Sequence, residues 1–276
     1  MAPNDSTEEL EIKLVLEAIH EQYGYDFRDY ASDSIQRRVH AVLAKSGAAH
    51  FGELQHRLLT EPTFFASLLG GLTVQLSEMF RDPKFYRAFR EKVIPVLRTY
   101  PQLKIWHAGC ASGEEVYTTA IILTEANLYE RTQIYATDVS AAVLEQAREG
   151  VYPAEHAAKF AESYRESGGK SELSDYYSSA YGRIAVRESL RKNVVFFQHD
   201  LVSDYALGEM HVIFCRNVLI YFGATLRERV IDMFARGLYR GGFLCLGASE
   251  CLPKTRAGLF EEYFAEERIF RRRGEP

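Results

Sequence analysis

Ile105-Trp-His-Ala-Gly-Cys-Ala-Ser-Gly-Glu-Glu-Val-Tyr117, with Ile134-Tyr-Ala-Thr-Asp138 after it, decides the fold. The first stretch reads as a buried strand, a glycine turn and a helix start, and the second as another strand ending in an acid. Gly109 and Gly113 let the backbone turn sharply and approach a ligand, and Asp138 stands where nucleotide-binding α/β folds place a ribose-binding carboxylate. The spacing departs from the dinucleotide fingerprint. Gly109-Cys-Ala-Ser-Gly113 lacks the first Gly-x-Gly pair and puts Glu114 at the helix N-terminus, where it would repel a pyrophosphate. A ligand with ribose hydroxyls, an amine and a sulfonium but no phosphate tolerates that acid, so the turn points to S-adenosylmethionine. The plain alternative is a glycine-bearing strand-to-helix turn of any α/β protein.

The 276 residues suffice for one large domain or two ordinary ones, and 47% hydrophobic content suits a globular chain. A net charge of −5 argues against general nucleic-acid binding, which needs a basic footprint. Cys110, Cys215, Cys245 and Cys251 are scattered without metal-ligand spacing, as in a reduced protein, so no metal is expected. The N-terminal residues lack a basic segment followed by an apolar one, and no apolar run approaches a membrane span. A cytoplasmic monomer that neither inserts in membranes nor binds nucleic acid is the expectation.

The first hundred residues show helical periodicity and no convincing strand. Ile35, Val39, Val42 and Leu43 form one apolar stripe between Ser34 and Lys45, with Asp33 or Ser34 available as N-cap; similar stripes run over Leu10–Ile19 and Thr63–Leu76. Pro83 suits the first turn of a helix running to Leu97. From Leu103 the texture changes to short β-rich runs at 104–107, 133–136, 193–198, 211–215 and 242–246, alternating with helical stretches, which predicts a mostly parallel, doubly wound sheet. Residues 260–264 and 268–272 can add edge strands, the last open to antiparallel pairing. The expected domains are 1–95, all-helical with a connecting helix, and 96–276, with a small β-subdomain, a helix and a hairpin or sheet, inserted at 151–192.

Three further segments join these: Thr73-Val-Gln-Leu-Ser-Glu-Met-Phe-Arg-Asp-Pro83, Gln198-His-Asp-Leu201 and Phe214-Cys-Arg-Asn-Val-Leu-Ile-Tyr-Phe222. Together with the glycine turn and Ala136-Thr-Asp138 they strongly resemble the CheR-type chemotaxis receptor methyltransferases, over almost the whole chain. The resemblance implies a class I S-adenosylmethionine-dependent methyltransferase, Rossmann-like, that methylates glutamate side chains on receptors. It implies that Asp138 meets the ribose, that Asp200 and Leu201 hold the adenine, and that Ala108, Gly109 and Glu114 cradle the methionine end. Glu115 is expected to face solvent in the first helical turn. Arg216, Asn217 and Tyr221 form a lip that orients a carboxylate, with Arg216 and Asn217 also expected at the cofactor, Asn217 as a candidate for its methionine moiety; the plain alternative is capping and loop hydrogen bonds. Arg81, whose guanidinium offers two parallel donors, is a second clamp at both cofactor and substrate. Arg81 and Tyr221 are the catalytic candidates. Gln75 and Ser77 stand where the family has Asn and Thr, and Met79 replaces a Phe, so the cofactor contact of Gln75 differs by a methylene.

Methyl transfer to an ionised carboxylate needs no general base, so alignment and electrostatics would carry the catalysis. Between Ser34 and Leu59, Arg37, Arg38, Lys45 and Arg57 face the single acid Glu53, and Arg37, Arg38 and Lys45 offer a dock for the acidic helical region of a chemoreceptor. In some family members the inserted subdomain binds a receptor's C-terminal peptide by strand addition. A nucleic-acid methyltransferase would share the fold, but the charge and the absence of an Asn/Asp-Pro-Pro-Tyr motif oppose it. A non-catalytic cofactor-binding module, or methylation of a non-receptor protein, is the alternative.

Overall fold

A computed structural model describes residues 3–72 and 77–274, so Gln75 lies outside the described residues. The chain forms two compact units, Met1–Val74 with Ile220–Arg229, and Gln75–Leu219 with Val230–Pro276.

The first unit contains α1 (Pro3–Tyr23), α2 (Ser32–Ser46), α3 (Phe51–Thr60) and α4 (Pro62–Leu72). Val15, Ile19, Val39, Val42, Leu54 and Leu58 meet in its core, so the stripe on α2 turns inward as its period requires. The N-cap of α2 is Ala31, without a side-chain cap, and not the expected Asp33 or Ser34. Helix α3 was not foreseen. His50 caps it by accepting the Glu53 N–H through Nδ1 at 3.2 Å, while Glu53 reaches back to accept the N–H of Ala49, the residue before the cap, at 2.7 Å. Ile220–Arg229 returns to this unit, where Phe222 bridges Tyr30 with ring centroids 5.0 Å apart.

The second unit opens with α5 (Pro83–Ala88), a π turn over Phe89–Val93 and α6 (Ile94–Leu97). The expected continuous helix is interrupted because Pro95 has no N–H to donate, and Ile94 donates five residues back to Phe89. Phe85, Phe89, Val93 and Leu97 are buried in the core of this unit, so the connecting helix packs with the sheet.

The sheet is built from β1 (Leu103–Ala108), α7 (Glu114–Glu125), β2 (Thr132–Asp138) and α8 (Ala141–Glu149), then β6 (Val194–Gln198), β7 (Met210–Cys215), α10 (Ala224–Gly237) and β8 (Leu238–Leu246). β9 (Phe260–Phe264) and β10 (Ile269–Arg272) close it. The order is β6-β2-β1-β7-β8-β10-β9, parallel through β8 and antiparallel at β10 and β9. All six residues of β7 are buried, as expected for a central parallel strand covered on both faces. Between the halves lie β3 (Val151–Pro153), α9 (Ala157–Glu166), β4 (Tyr177–Ala180) and β5 (Arg183–Val186), whose strands form a separate antiparallel sheet in the order β3-β5-β4. Among the described residues no helix is long and apolar enough to cross a membrane.

Candidate functional site

An acid stands at or shortly beyond the end of three neighbouring parallel strands, Glu114 after β1, Asp138 at the end of β2 and Asp200 after β6. β1 runs through Ala108, 2% exposed, into a turn with positive φ at Gly109 (76°), Ala111 (47°) and Gly113 (90°), and Glu114 opens α7. Gly109 and Cys110 both donate to the Thr137 carbonyl at 2.8 Å, which ties the turn to the end of β2. A side chain at Gly109 would stand 2.6 Å from Val218 Cγ2, so only glycine fits there. Asp138, the last residue of β2, accepts the Ala111 N–H through Oδ2 and the Ser140 N–H through Oδ1, each at 3.0 Å. It thereby braces two loops, while Ser140 takes the N-cap of α8. After β6, Asp200 accepts the Val202 N–H at 2.8 Å and Leu201 is 8% exposed.

Burial raises the carboxyl pKa of Glu114, Asp138 and Asp200 alike. Among the described residues none of the three forms an ion pair; Glu114 accepts from the Ser112 hydroxyl at 2.7 Å, from its own backbone N–H and from Ser77. Dehydrated acids on adjacent strand ends, with no lysine or arginine between them, suit a cationic ligand and reject a phosphate. That is the chemistry of S-adenosylmethionine, whose sulfonium and ammonium would complement them, so the residues present fit the cofactor.

Glu115 departs from the expectation of a solvent-facing acid. Its side chain is 19% exposed and it accepts from Arg216 Nη1 at 2.9 Å and the Tyr86 hydroxyl at 3.1 Å, with His107 Nδ1 at 3.2 Å. Burial would raise its pKa, yet His107 and Arg216 outweigh that and lower it to about 2. Arg216, expected on the lip of the site, is buried instead. Its side chain is 1% exposed, Nη2 meets Asp82 at 2.8 Å, and the guanidinium lies 4.0 Å over the Phe85 ring. Its Nη1 and Nη2 are engaged by Glu115, Tyr86 and Asp82, so through them it positions other residues. What it positions is Arg81: Phe80 and Asp82 on either side have φ of 55° and 59°, and Arg216 Nη1 reaches the Arg81 carbonyl at 3.5 Å. Among the described residues the Arg81 guanidinium itself has no hydrogen-bond or ion-pair partner.

Sequence reasoning missed Glu250. It is 3% exposed and accepts the N–H of Asn217 and Val218, each at 2.9 Å, and of Gly247 at 2.6 Å, bracing the ends of β7 and β8 as Asp138 braces β1 and β2. A Cβ at Gly247 would come within 2.8 Å of Asn217 N and of Glu250 Oε2. Gly247-x-x-Glu250 beyond a buried strand was the available signal. Asn217, with φ of 62°, is fixed by this clamp.

Tyr221 belongs to the first unit, and Arg216 and Asn217 belong to the second. Arg38 lies 4.1 Å over the Tyr221 ring and donates to the Leu72 carbonyl at 2.7 Å. At 7% exposure Arg38 cannot serve in the expected docking patch; position 38 falls on the inner face of α2 beside Ile35, Val39 and Val42. Arg57 is also engaged, by Glu61 at 3.0 Å and the Phe64 ring at 3.8 Å, which leaves Arg37 and Lys45 exposed.

The family described as CheR methyltransferase, SAM binding domain, matches residues 75–269, and CheR methyltransferase, all-alpha domain, matches residues 10–73. A protein named Cher3 in Pseudomonas putida is 43% identical over 265 residues, 96% of this chain and 97% of that one. A chemotaxis protein methyltransferase of Listeria monocytogenes is 31% identical over 229 residues, 82% of this chain and 84% of that one. The chemotaxis protein methyltransferase Cher2 of Pseudomonas putida is 31% identical over 231 residues, 79% and 82% of the two chains. The chain belongs to the CheR methyltransferase family, and its second unit is an S-adenosylmethionine-dependent methyltransferase domain.

Proposed function

We propose that this methyltransferase esterifies the γ-carboxylate of glutamate side chains on a chemoreceptor, in the cytoplasm. The observation that carries the reading is the Arg81 guanidinium, without a hydrogen-bond or ion-pair partner among the described residues and held in a strained segment that Arg216 ties to the first turn of α7. The cofactor would supply an electrophilic methyl group; Asp138, Glu114 and Leu201 would hold it, with Asp200 at its adenine and Gly109 permitting close approach. Arg81 then receives the substrate carboxylate through two parallel donors, which sets its angle as well as its charge. A glutamate is ionised at neutral pH, so no protein base is required. For Tyr221 we keep a substrate-contacting role, with Arg38 holding its ring. Arg81→Ala should lower methyl transfer to a receptor cytoplasmic fragment about a hundredfold or more, as expected for a lost charge-assisted clamp, and leave S-adenosylmethionine affinity within about twofold. Base-labile label released as methanol identifies the ester. Equal loss of binding and transfer would move Arg81 to the cofactor.

Docking on the acidic helices of the substrate falls to Arg37 and Lys45. Replacing both by Glu should raise KM several-fold in low salt and less in high salt, measured across ionic strength. A second reading, a protein substrate other than a chemotaxis receptor, draws on one comparison. Within Pseudomonas putida the chain is 43% identical to Cher3 and 31% to the chemotaxis protein methyltransferase Cher2.

A further inference from the structure

The segment inserted between α8 and β6 touches both stretches of chain that carry the candidate site, and all of these residues lie in the second unit. Tyr152 of β3 is 4% exposed, and its hydroxyl donates to the Ser112 carbonyl at 2.8 Å, inside the glycine turn. The Ser112 hydroxyl in turn donates to Glu114 at 2.7 Å. A side chain at Gly113 would stand 2.9 Å from the Ala147 Cβ and 3.4 Å from the Tyr152 hydroxyl, so the turn is wedged between the end of α8 and β3. Burial raises the Tyr152 pKa well above its ordinary value and the nearby Glu114 adds to the rise, so the phenol stays protonated and remains a donor. The second stretch is reached by α9. Its Tyr164 ring lies edge-on against Phe80 with centroids 5.2 Å apart, and Lys159 meets Glu78 at 2.7 Å, on the segment that carries Ser77 and Arg81. A subdomain that served only to dock a partner would need neither contact. The exposed Lys159 pair contributes little by itself, whereas the buried Tyr152 hydroxyl leads through one residue to a carboxylate of the site.

We propose that Tyr152 is a positioning residue for the methyl donor: by holding the Ser112 carbonyl it fixes the turn so that the Ser112 hydroxyl stays on Glu114 and keeps that carboxylate in the orientation that holds the cofactor. The inference rests on the reading of Glu114 as a cofactor-binding residue. Ala111, next to Ser112, has φ of 47°, a conformation that persists only where its surroundings hold it. Without the phenol the Ser112 carbonyl loses its donor and the turn is free to relax. The inserted subdomain then serves the methyl-donor pocket directly.

The test is calorimetric titration of the full chain with S-adenosylmethionine, in a double-mutant cycle of Tyr152→Phe and Glu114→Gln. Tyr152→Phe keeps the ring packed beside Tyr117 and removes only the hydroxyl. It should weaken binding about tenfold, the effect of one hydrogen bond whose loss leaves a carbonyl unpaired. In the Glu114→Gln background the same change should weaken binding less than about twofold, because Tyr152 acts through that carboxylate. Tyr176→Phe removes a hydroxyl from Glu125 in the same inserted segment and should leave the affinity unchanged. Affinity of Tyr152→Phe within about twofold of the unmodified protein overturns the proposal. An equal loss in both backgrounds, or a matching loss in Tyr176→Phe, overturns it as well, in favour of general loosening of the subdomain. If Tyr152→Phe fails to fold, Ser112→Ala decides: it keeps the bond from Tyr152 to the carbonyl, cuts the link to Glu114, and should weaken binding comparably, so an unchanged affinity overturns the proposal. An indifferent Glu114→Gln would remove the reading of Glu114 and the proposal with it, whereas a sensitive Glu114→Gln beside an indifferent Tyr152→Phe removes the proposal alone.

Discussion

Glu114 and Glu115 leave the first turn of α7 toward different surroundings. Glu114, 7% exposed, joins Asp138 and Asp200 among acids that burial pushes up, with no ion pair among the described residues and only the nearby His156 and His199 pulling Glu114 and Asp200 back in part. Glu115 turns into a closed network of His107, Tyr86 and Arg216, which pulls its pKa down to about 2. Burial raises both; the partner decides the net sign. A dehydrated acid without a counter-ion carries negative potential that a cationic ligand can use, whereas a compensated one holds the structure together.

The contrast can be broken most directly at Arg216. Arg216→Met leaves Glu115 and Asp82 without their cation, and should destabilise the protein by about 3–5 kcal/mol in urea unfolding, the usual cost of removing one partner from a buried pair. A loss under about 1 kcal/mol would mean that the network is not structural.

Glu115→Gln comes next. The folded carboxyl lies below its unfolded value, so its stabilisation is present above pH 4.5 and is lost as pH falls through about 2. That difference amounts to about 3 kcal/mol near neutrality, and the variant should show a flatter acid limb in a pH series of unfolding midpoints.

Glu114→Gln should have the smallest effect on stability and a clear effect on binding. The raised pKa means the fold favours the neutral form, so stability at pH 7 should hold within about 0.5 kcal/mol or increase. S-adenosylmethionine affinity should fall about tenfold to a hundredfold, the worth of one charged hydrogen bond. In the unmodified protein that affinity should decline on acidification from a pH above the ordinary carboxylate range, because Glu114 and Asp138 both protonate early. Identical stability losses in Glu114→Gln and Glu115→Gln would erase the distinction.

Much of the fold was legible because strand and helix periods are local properties. The five parallel strands fall where apolar runs stand between turn residues, and the inserted segment gives the separate sheet β3-β5-β4. Helix α3 and the π turn were not legible: one is capped by a histidine, and the other depends on how the chain re-registers before Pro95. Of the site, the strand-end acids follow from topology, since residues after parallel strands collect at one edge. The partners of those residues do not follow. Arg38 and Arg216 read as exposed cations in the sequence, and the fold buries both, one over Tyr221 and one between Glu115 and Asp82.

By itself the sequence determined the parallel sheet, the glycine turn, the acid at the end of β2 and the family, all carried by short contiguous motifs. The tertiary structure alone decided which charges remain available. Ion pairs such as Arg216 with Glu115 join positions far apart in the chain, and burial depends on what packs above a residue. Neither leaves a local pattern, yet together they leave Arg81 without a partner and Glu114 without an ion pair among the described residues, while Arg216 and Glu115 engage each other.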